Sequence, residues 1–251
     1  KASQFTAVIM FFLAISPIIY GYILEKVNVK KMLINSSIIL FITNIFLGLA
    51  TSYELFLFFR VIEALVVPAI LTSLMSILAN IDKENIKFNM SIYVASTVFG
   101  GLVGRIFSGF IATNLSYEFV FYSLSLAILV SIYFISKLSY EGEATISKPK
   151  ITDVMEILKD KRFLIIYFLM FCVFFVFSGV LNILPFRVKE ISSNVSEFQI
   201  SLLYLGYGMG ILISLNSSKI VKYFKNELNT ILFGLIFFLF ITIFLIQENI
   251  I

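Results

Sequence analysis

No histidine and no tryptophan occur among the 251 residues, and the single cysteine, Cys172, lies in an apolar run. These absences remove the usual ligand sets of zinc, haem and iron–sulfur centres, an internal disulfide and an imidazole proton relay. No metal and no cofactor are therefore expected. Charge is also scarce: 14% of residues are Asp, Glu, Lys or Arg, against roughly 25% in an average soluble domain. What fills the chain instead is apolar, at 60% of residues including 29 Phe, with a mean hydropathy of +1.01. A water-soluble globule, a disordered chain and a nucleic-acid binder are excluded on these grounds. An integral membrane protein remains.

A bilayer core about 30 Å thick takes about 20 apolar residues in a helix, because only bonds within the segment can satisfy the backbone in lipid. Eight such stretches are predicted, over 5–24, 32–51, 54–79, 89–112, 116–137, 162–186, 198–220 and 228–247. Runs such as Phe163 to Val180 do not alternate, which argues against a β-barrel. The expected fold is an all-α polytopic membrane bundle.

The placement of positive charge orients it. With the first helix running from outside to inside, most of the 19 Lys and Arg fall on the inner side. The outer side holds only Lys1, Arg187 and Lys189, while Arg60 and Arg105 lie within helices. Under the positive-inside rule both ends of the chain are then expected to face outward. The longest polar segment separates an N-terminal half, 1–138, from a partial C-terminal half, 162–251. Within this central loop, 139–161, Ile151, Val154, Met155 and Leu158 recur at helical spacing, consistent with a short helix on the inner membrane surface or with a charged linker.

Three patterns point to function. After the first helix stand Gly21, Ile23, Glu25, Lys26 and Lys30: a small residue, an acid at the inner surface and a turn ending in cations. This resembles the loop signature G-x-L-x-D-R-x-G-R-K of the major facilitator superfamily. Asn28 replaces the turn glycine and is expected to tolerate positive φ. In the third helix, Leu57 to Ala64 resembles the family's L-x-x-R-x-x-Q-G pattern, with Arg60 at the Arg position and Glu63 for Gln. An intramembrane Arg costs about 2.5–3.5 kcal/mol or more and so points to a cavity, a partner or a relay. The spacing of Arg60 and Glu63 also permits a purely local pair. In the fourth helix, Gly100, Gly104, Ser108 and Gly109 resemble the antiporter signature G-x-x-x-G-P-x-x-G-G, with Arg105 where that signature has Pro. Small residues four apart make a smooth face for a closely packed helix.

Together these resemblances cover the chain. They imply a fragment holding the second to ninth helices of a twelve-helix transporter of the drug:proton antiporter-like branch, working by alternating access. Proton-coupled export of a small organic compound is expected, without enzymatic activity. Proton coupling would involve Arg60, Glu63 and Arg105, and the inner gate Gly21, Glu25, Lys26 and Lys30. Polar residues in or near apolar helices, namely Asn35, Asn44, Tyr93, Asn182 and Tyr207, are candidate walls of the substrate cavity or simply interhelical hydrogen-bonding groups. The Tyr204, Gly206, Tyr207, Gly208 and Gly210 run reads as flexible and closely packed. A small-molecule substrate, protons and the lipid bilayer are the expected partners, with the chain a monomer in a bacterial or archaeal cytoplasmic membrane. A same-fold carrier for a sugar or amino acid would keep most of these motifs. A channel or a structural membrane subunit is a different class, disfavoured by the lack of a filter-like ring and by the intramembrane charges.

Overall fold

Every regular element among the described residues is a helix, as lipid requires of a backbone that must satisfy its own hydrogen bonds. The structure, a computed structural model, describes residues 2–24, 27–139, 159–192 and 194–247. The helices are α1 Ala2–Leu24, α2 Val29–Leu49, α3 Tyr53–Ile81, α4 Ile86–Asn114 and α5 Tyr117–Ser136. Then come α6 Lys161–Ile191, α7 Glu197–Leu202, a 3₁₀ turn Leu203–Gly206, α8 Tyr207–Leu215, α9 Ser217–Tyr223 and α10 Glu227–Gln247. The amphipathic stretch expected at 151–158 lies outside the described residues.

Six of these segments are long and apolar enough to cross a bilayer: α2, α3, α4, α5, most of α6, and Glu197–Leu215 from α7 through α8. The pair α9 and α10, bent by 99°, would add a seventh. Eight uniform spans were expected; outside the six fall α1, which shows only the shorter apolar stretch Ala7–Pro17, and α10, which counts only in its bent pair with α9, and the seventh span is itself irregular. It is not one helix over 198–220: it tightens to 3₁₀ at Leu203–Gly206 and breaks at Asn216. A turn after α9 then places Lys225 at φ 71°.

Local chemistry sets several helix starts. Ser52 accepts from the Leu55 N–H at the head of α3, and Ser196 with Gln199 forms a capping box at the head of α7. Each satisfies backbone donors left free in a first turn. Asn28 works in the same way and not as a substitute turn glycine. Its φ is −57°, and its side-chain oxygen accepts from the Lys31 N–H at 3.0 Å.

The described residues divide into two compact units, one within Lys1–Val94 and Phe110–Lys148, the other within Ala95–Gly109 and Pro149–Ile251. The middle of α4 thus groups with the later helices, whereas the sequence suggested a boundary only at the central loop. In the first unit α2 packs on α3 and α5, and α1 packs on α3. The buried positions of α2 include Val29, Leu33, Ser37, Asn44, Leu47 and Gly48, a stripe at helical spacing. Ser37 and Thr43 donate to the carbonyls of Leu33 and Ile39 one turn earlier, so these hydroxyls enter the packed face already satisfied. Val29 and Leu33 meet Ile77 in an apolar cluster flanked by Ile70, Leu74 and Ile135. The second unit shows wide apolar surface, with Phe168, Phe175 and Phe240 all exposed, which is what hydrocarbon requires of a lipid-facing helix.

Candidate functional site

Arg60 of the first unit and Arg105 of the second each lie within a spanning helix. In the first, α3 places Arg60 and Glu63 three residues apart, and Arg60 Nη1 meets Glu63 Oε2 at 2.5 Å. The second carboxylate oxygen of Glu63, Oε1, accepts from Asn44 Nδ2 of α2 at 3.0 Å. Asn44 is 1% exposed and also donates to the Leu40 carbonyl of its own helix. Its Oδ1 is buried without a partner among the described residues. Both oxygens of Glu63 are therefore held, one by a cation and one by an amide fixed in the α2–α3 interface. Phe46 of α2 stacks on Phe59 of α3 at 5.0 Å. Asn44, proposed from sequence as a cavity wall, is thus a buried partner of the carboxylate.

Arg105 belongs to the other unit and is held differently. Its Nη1 donates to the Gly101 carbonyl one turn back, at 3.1 Å. The guanidinium carbon lies 4.9 Å from the Tyr204 ring centre and 5.2 Å from that of Tyr207, within the range of cation–π attraction. Tyr207 stacks in turn on Phe177 of α6, and Tyr204 directs its hydroxyl to the Leu181 carbonyl. Within this unit, then, Arg105 rests on aromatic faces. Beside it opens a cleft of about 310 Å³ lined by residues of α4, Pro185 of α6, and Glu197, Ile200, Ser201 and Tyr204. Glu197 is engaged by Lys189 Nζ at 2.9 Å.

The small-residue face of α4 is not equally filled within its unit. Within its unit, a Cβ on Gly100 or Gly104 would meet nothing within 4 Å among the described residues. The close approach falls at Gly109, where a Cβ would lie 2.6 Å from Ser201 Oγ and 2.9 Å from the Glu197 carbonyl oxygen. Ser108 lines the cleft. Within the same unit Gly206 and Gly208 likewise have open space, and a Cβ on Gly210 would make ordinary contact with Val98. In the first unit Gly48 plays the tight role, against the ring of Tyr122.

Of the inner-gate residues, Gly21 lies in α1, and Glu25 and Lys26 fall outside the described residues. Lys30 donates to the Leu138 carbonyl just beyond the end of α5 at 2.5 Å, a cation on a carbonyl at a helix C-terminus. The remaining candidates do not converge on one place. Asn35 is exposed on α2, Tyr93 donates to the Leu71 carbonyl of α3 at 3.3 Å, and Asn182 donates within α6 to Ser178. Tyr204 is the partner of Arg105 that the sequence reading left outside the site. Its three-residue spacing from Tyr207 was the available signal. Among the described residues no group of three acids or cysteines comes together as a metal site.

Long apolar helices that carry ionisable side chains paired inside the bundle define an integral membrane protein of the polytopic transport type. The family model of the Major Facilitator Superfamily matches residues 2–250. The chain belongs to that superfamily and is a major facilitator transporter. No curated protein and no solved structure matches it.

Proposed function

We propose that this transporter works by alternating access and couples the export of a small organic compound to proton entry, with Glu63 as the proton-carrying group. The observation that carries the reading is the Arg60–Glu63–Asn44 cluster. The carboxylate joins a cation on its own helix to a buried amide of the neighbouring one, so a proton carried there would be felt by both α2 and α3. On this reading eight crossings are present, α1 and α10 included, at 23 and 21 residues. Both chain ends lie outside, in a bacterial or archaeal cytoplasmic membrane, and the protein acts as a monomer.

The test is transport by the full protein in liposomes under an imposed proton gradient, with a panel of compounds. Glu63→Gln keeps the hydrogen bonding but cannot titrate. Loss of the pH dependence of efflux in a normally folded Glu63→Gln protein is the expected result. An unchanged pH profile would reduce the cluster to scaffolding.

A further inference from the structure

Arg105 cannot lose its proton, since a guanidinium stays charged at any accessible pH. Inside a spanning helix such a group faces a counter-charge or a wet cavity. Among the described residues of its unit no carboxylate pairs with it, and the acid that shares its cleft, Glu197, is engaged by Lys189. Of its five N–H donors, the described residues occupy one, through the Gly101 carbonyl. Cation–π contact with Tyr204 and Tyr207 draws on the ring faces and consumes no N–H. Arg105 lines a cleft of about 310 Å³, the lower end of the size usual for small-molecule sites. Pro185, Ile200 and Ser108 line the same cleft, together with Tyr204, on whose ring Arg105 rests.

Fixed charge, spare donors and apolar walls together select one ligand chemistry. We propose that the cleft binds an organic anion, its carboxylate on Arg105 and its flat apolar body against Ile200, Pro185 and Tyr204. This names the substrate class for the transporter reading above and rests on it, and it moves Arg105 from proton coupling to substrate recognition. The two tyrosines hold the guanidinium in place before the anion arrives, so little ordering is needed on binding. An anionic lipid headgroup shares the same chemistry at the charged end, and the experiment separates the two sources.

Equilibrium binding of 1-naphthoate and its uncharged counterpart 1-naphthamide is measured on the full protein in phosphatidylcholine nanodiscs, so that no transport is required. The naphthoate is expected to bind about tenfold or more tightly than the amide, the worth of a charge-assisted hydrogen bond. Arg105→Gln should erase that preference while leaving amide binding in place, and Arg105→Lys should keep part of it. Where Arg105→Gln does not fold, Ser108→Leu, which fills the cleft and spares the guanidinium, should abolish binding of both compounds. Equal binding of the two compounds by the wild type, no binding at all, or an unchanged preference in Arg105→Gln would overturn the proposal. So would naphthoate displaced by phosphatidylglycerol in the wild type but not in Arg105→Lys or Arg105→Gln, which would assign the cleft to lipid. Binding as expected without proton-driven efflux would instead overturn the proton-coupled export reading and leave this site standing.

Discussion

Arg60 is closed in by a carboxylate and, through it, by a buried amide, whereas Arg105 leans on two tyrosine rings beside an open cleft. The two side chains are identical and both lie in spanning helices, so the difference is one of surroundings. The first arrangement is locally neutral, and its parts depend on one another: remove the acid, and both a cation and a buried amide lose a partner. The second leaves a net charge and unused donors, so it depends little on any single neighbour and keeps capacity for something that arrives. A pair of this kind is suited to switching, and a lone cation on rings to recognition.

The comparison breaks most readily at Glu63. Glu63→Ala should destabilise the protein by about 2–3 kcal/mol, somewhat below the usual range for a buried pair that loses one member because Arg60 keeps 35% of its side chain exposed. Arg105→Gln should cost no more than about 1 kcal/mol, the scale of a cation–π contact near solvent. Thermal unfolding in detergent reads both, and equal losses would mean that the two arginines are held alike.

Glycines sharpen the same contrast between filled and open surroundings. Gly109→Ala forces a Cβ against Ser201 and the Glu197 backbone and should cost about 1–3 kcal/mol. Gly104→Ala meets open space within its unit and should be neutral or stabilising by up to about 1 kcal/mol through helix propensity. The same melting assay decides. A Gly104→Ala protein as damaged as Gly109→Ala would return the close contact to the antiporter-like face.

The smallest effect lies in the turn after α3 and sets the background against which Glu63 is judged. Asp82 accepts from the Asn85 side chain at 2.9 Å and from the backbone N–H groups of Asn85 and Glu84. The Asn85 amide, followed by these backbone donors, holds its carboxyl below the ordinary value of 3.8. A carboxyl with a lowered folded value contributes stability above pH 3.8 that fades as acidification protonates it. Amide hydrogen exchange at Glu84 and Asn85 should lose protection below that pH in the wild type. In Asp82→Asn the protection should not change with pH, and Glu63→Gln should leave the wild-type pattern intact.

Helix positions were legible because lipid imposes length and apolarity together. The third and fourth stretches, read as 54–79 and 89–112, run over Tyr53–Ile81 and Ile86–Asn114. The 3₁₀ turn at Leu203–Gly206 was not legible, since only the clustered glycines hinted at a weaker helix, whereas the break at Asn216 falls on the polar run Asn216-Ser217-Ser218-Lys219, which the expected span 198–220 took in. The Arg60 and Glu63 contact follows from a three-residue spacing on one helix. Asn44 was harder, because an amide in an apolar helix suits a cavity wall and a buried partner equally well. Arg105 was hardest. Its rings come from residues about a hundred positions later, a distance over which sequence periodicity says nothing.

Tyr204 lies in the 3₁₀ turn and Tyr207 opens α8. At about three residues per turn, positions three apart return to the same azimuth, so both rings come round to Arg105. Rewound as α-helix, at about 100° per residue, the same two positions would diverge by roughly 60° and the four-residue turn would shorten by about 2 Å. Winding and aromatic grip are thus a single degree of freedom: about a sixth of a turn of screw motion in one short segment both shortens the helix and lifts a ring from the cation.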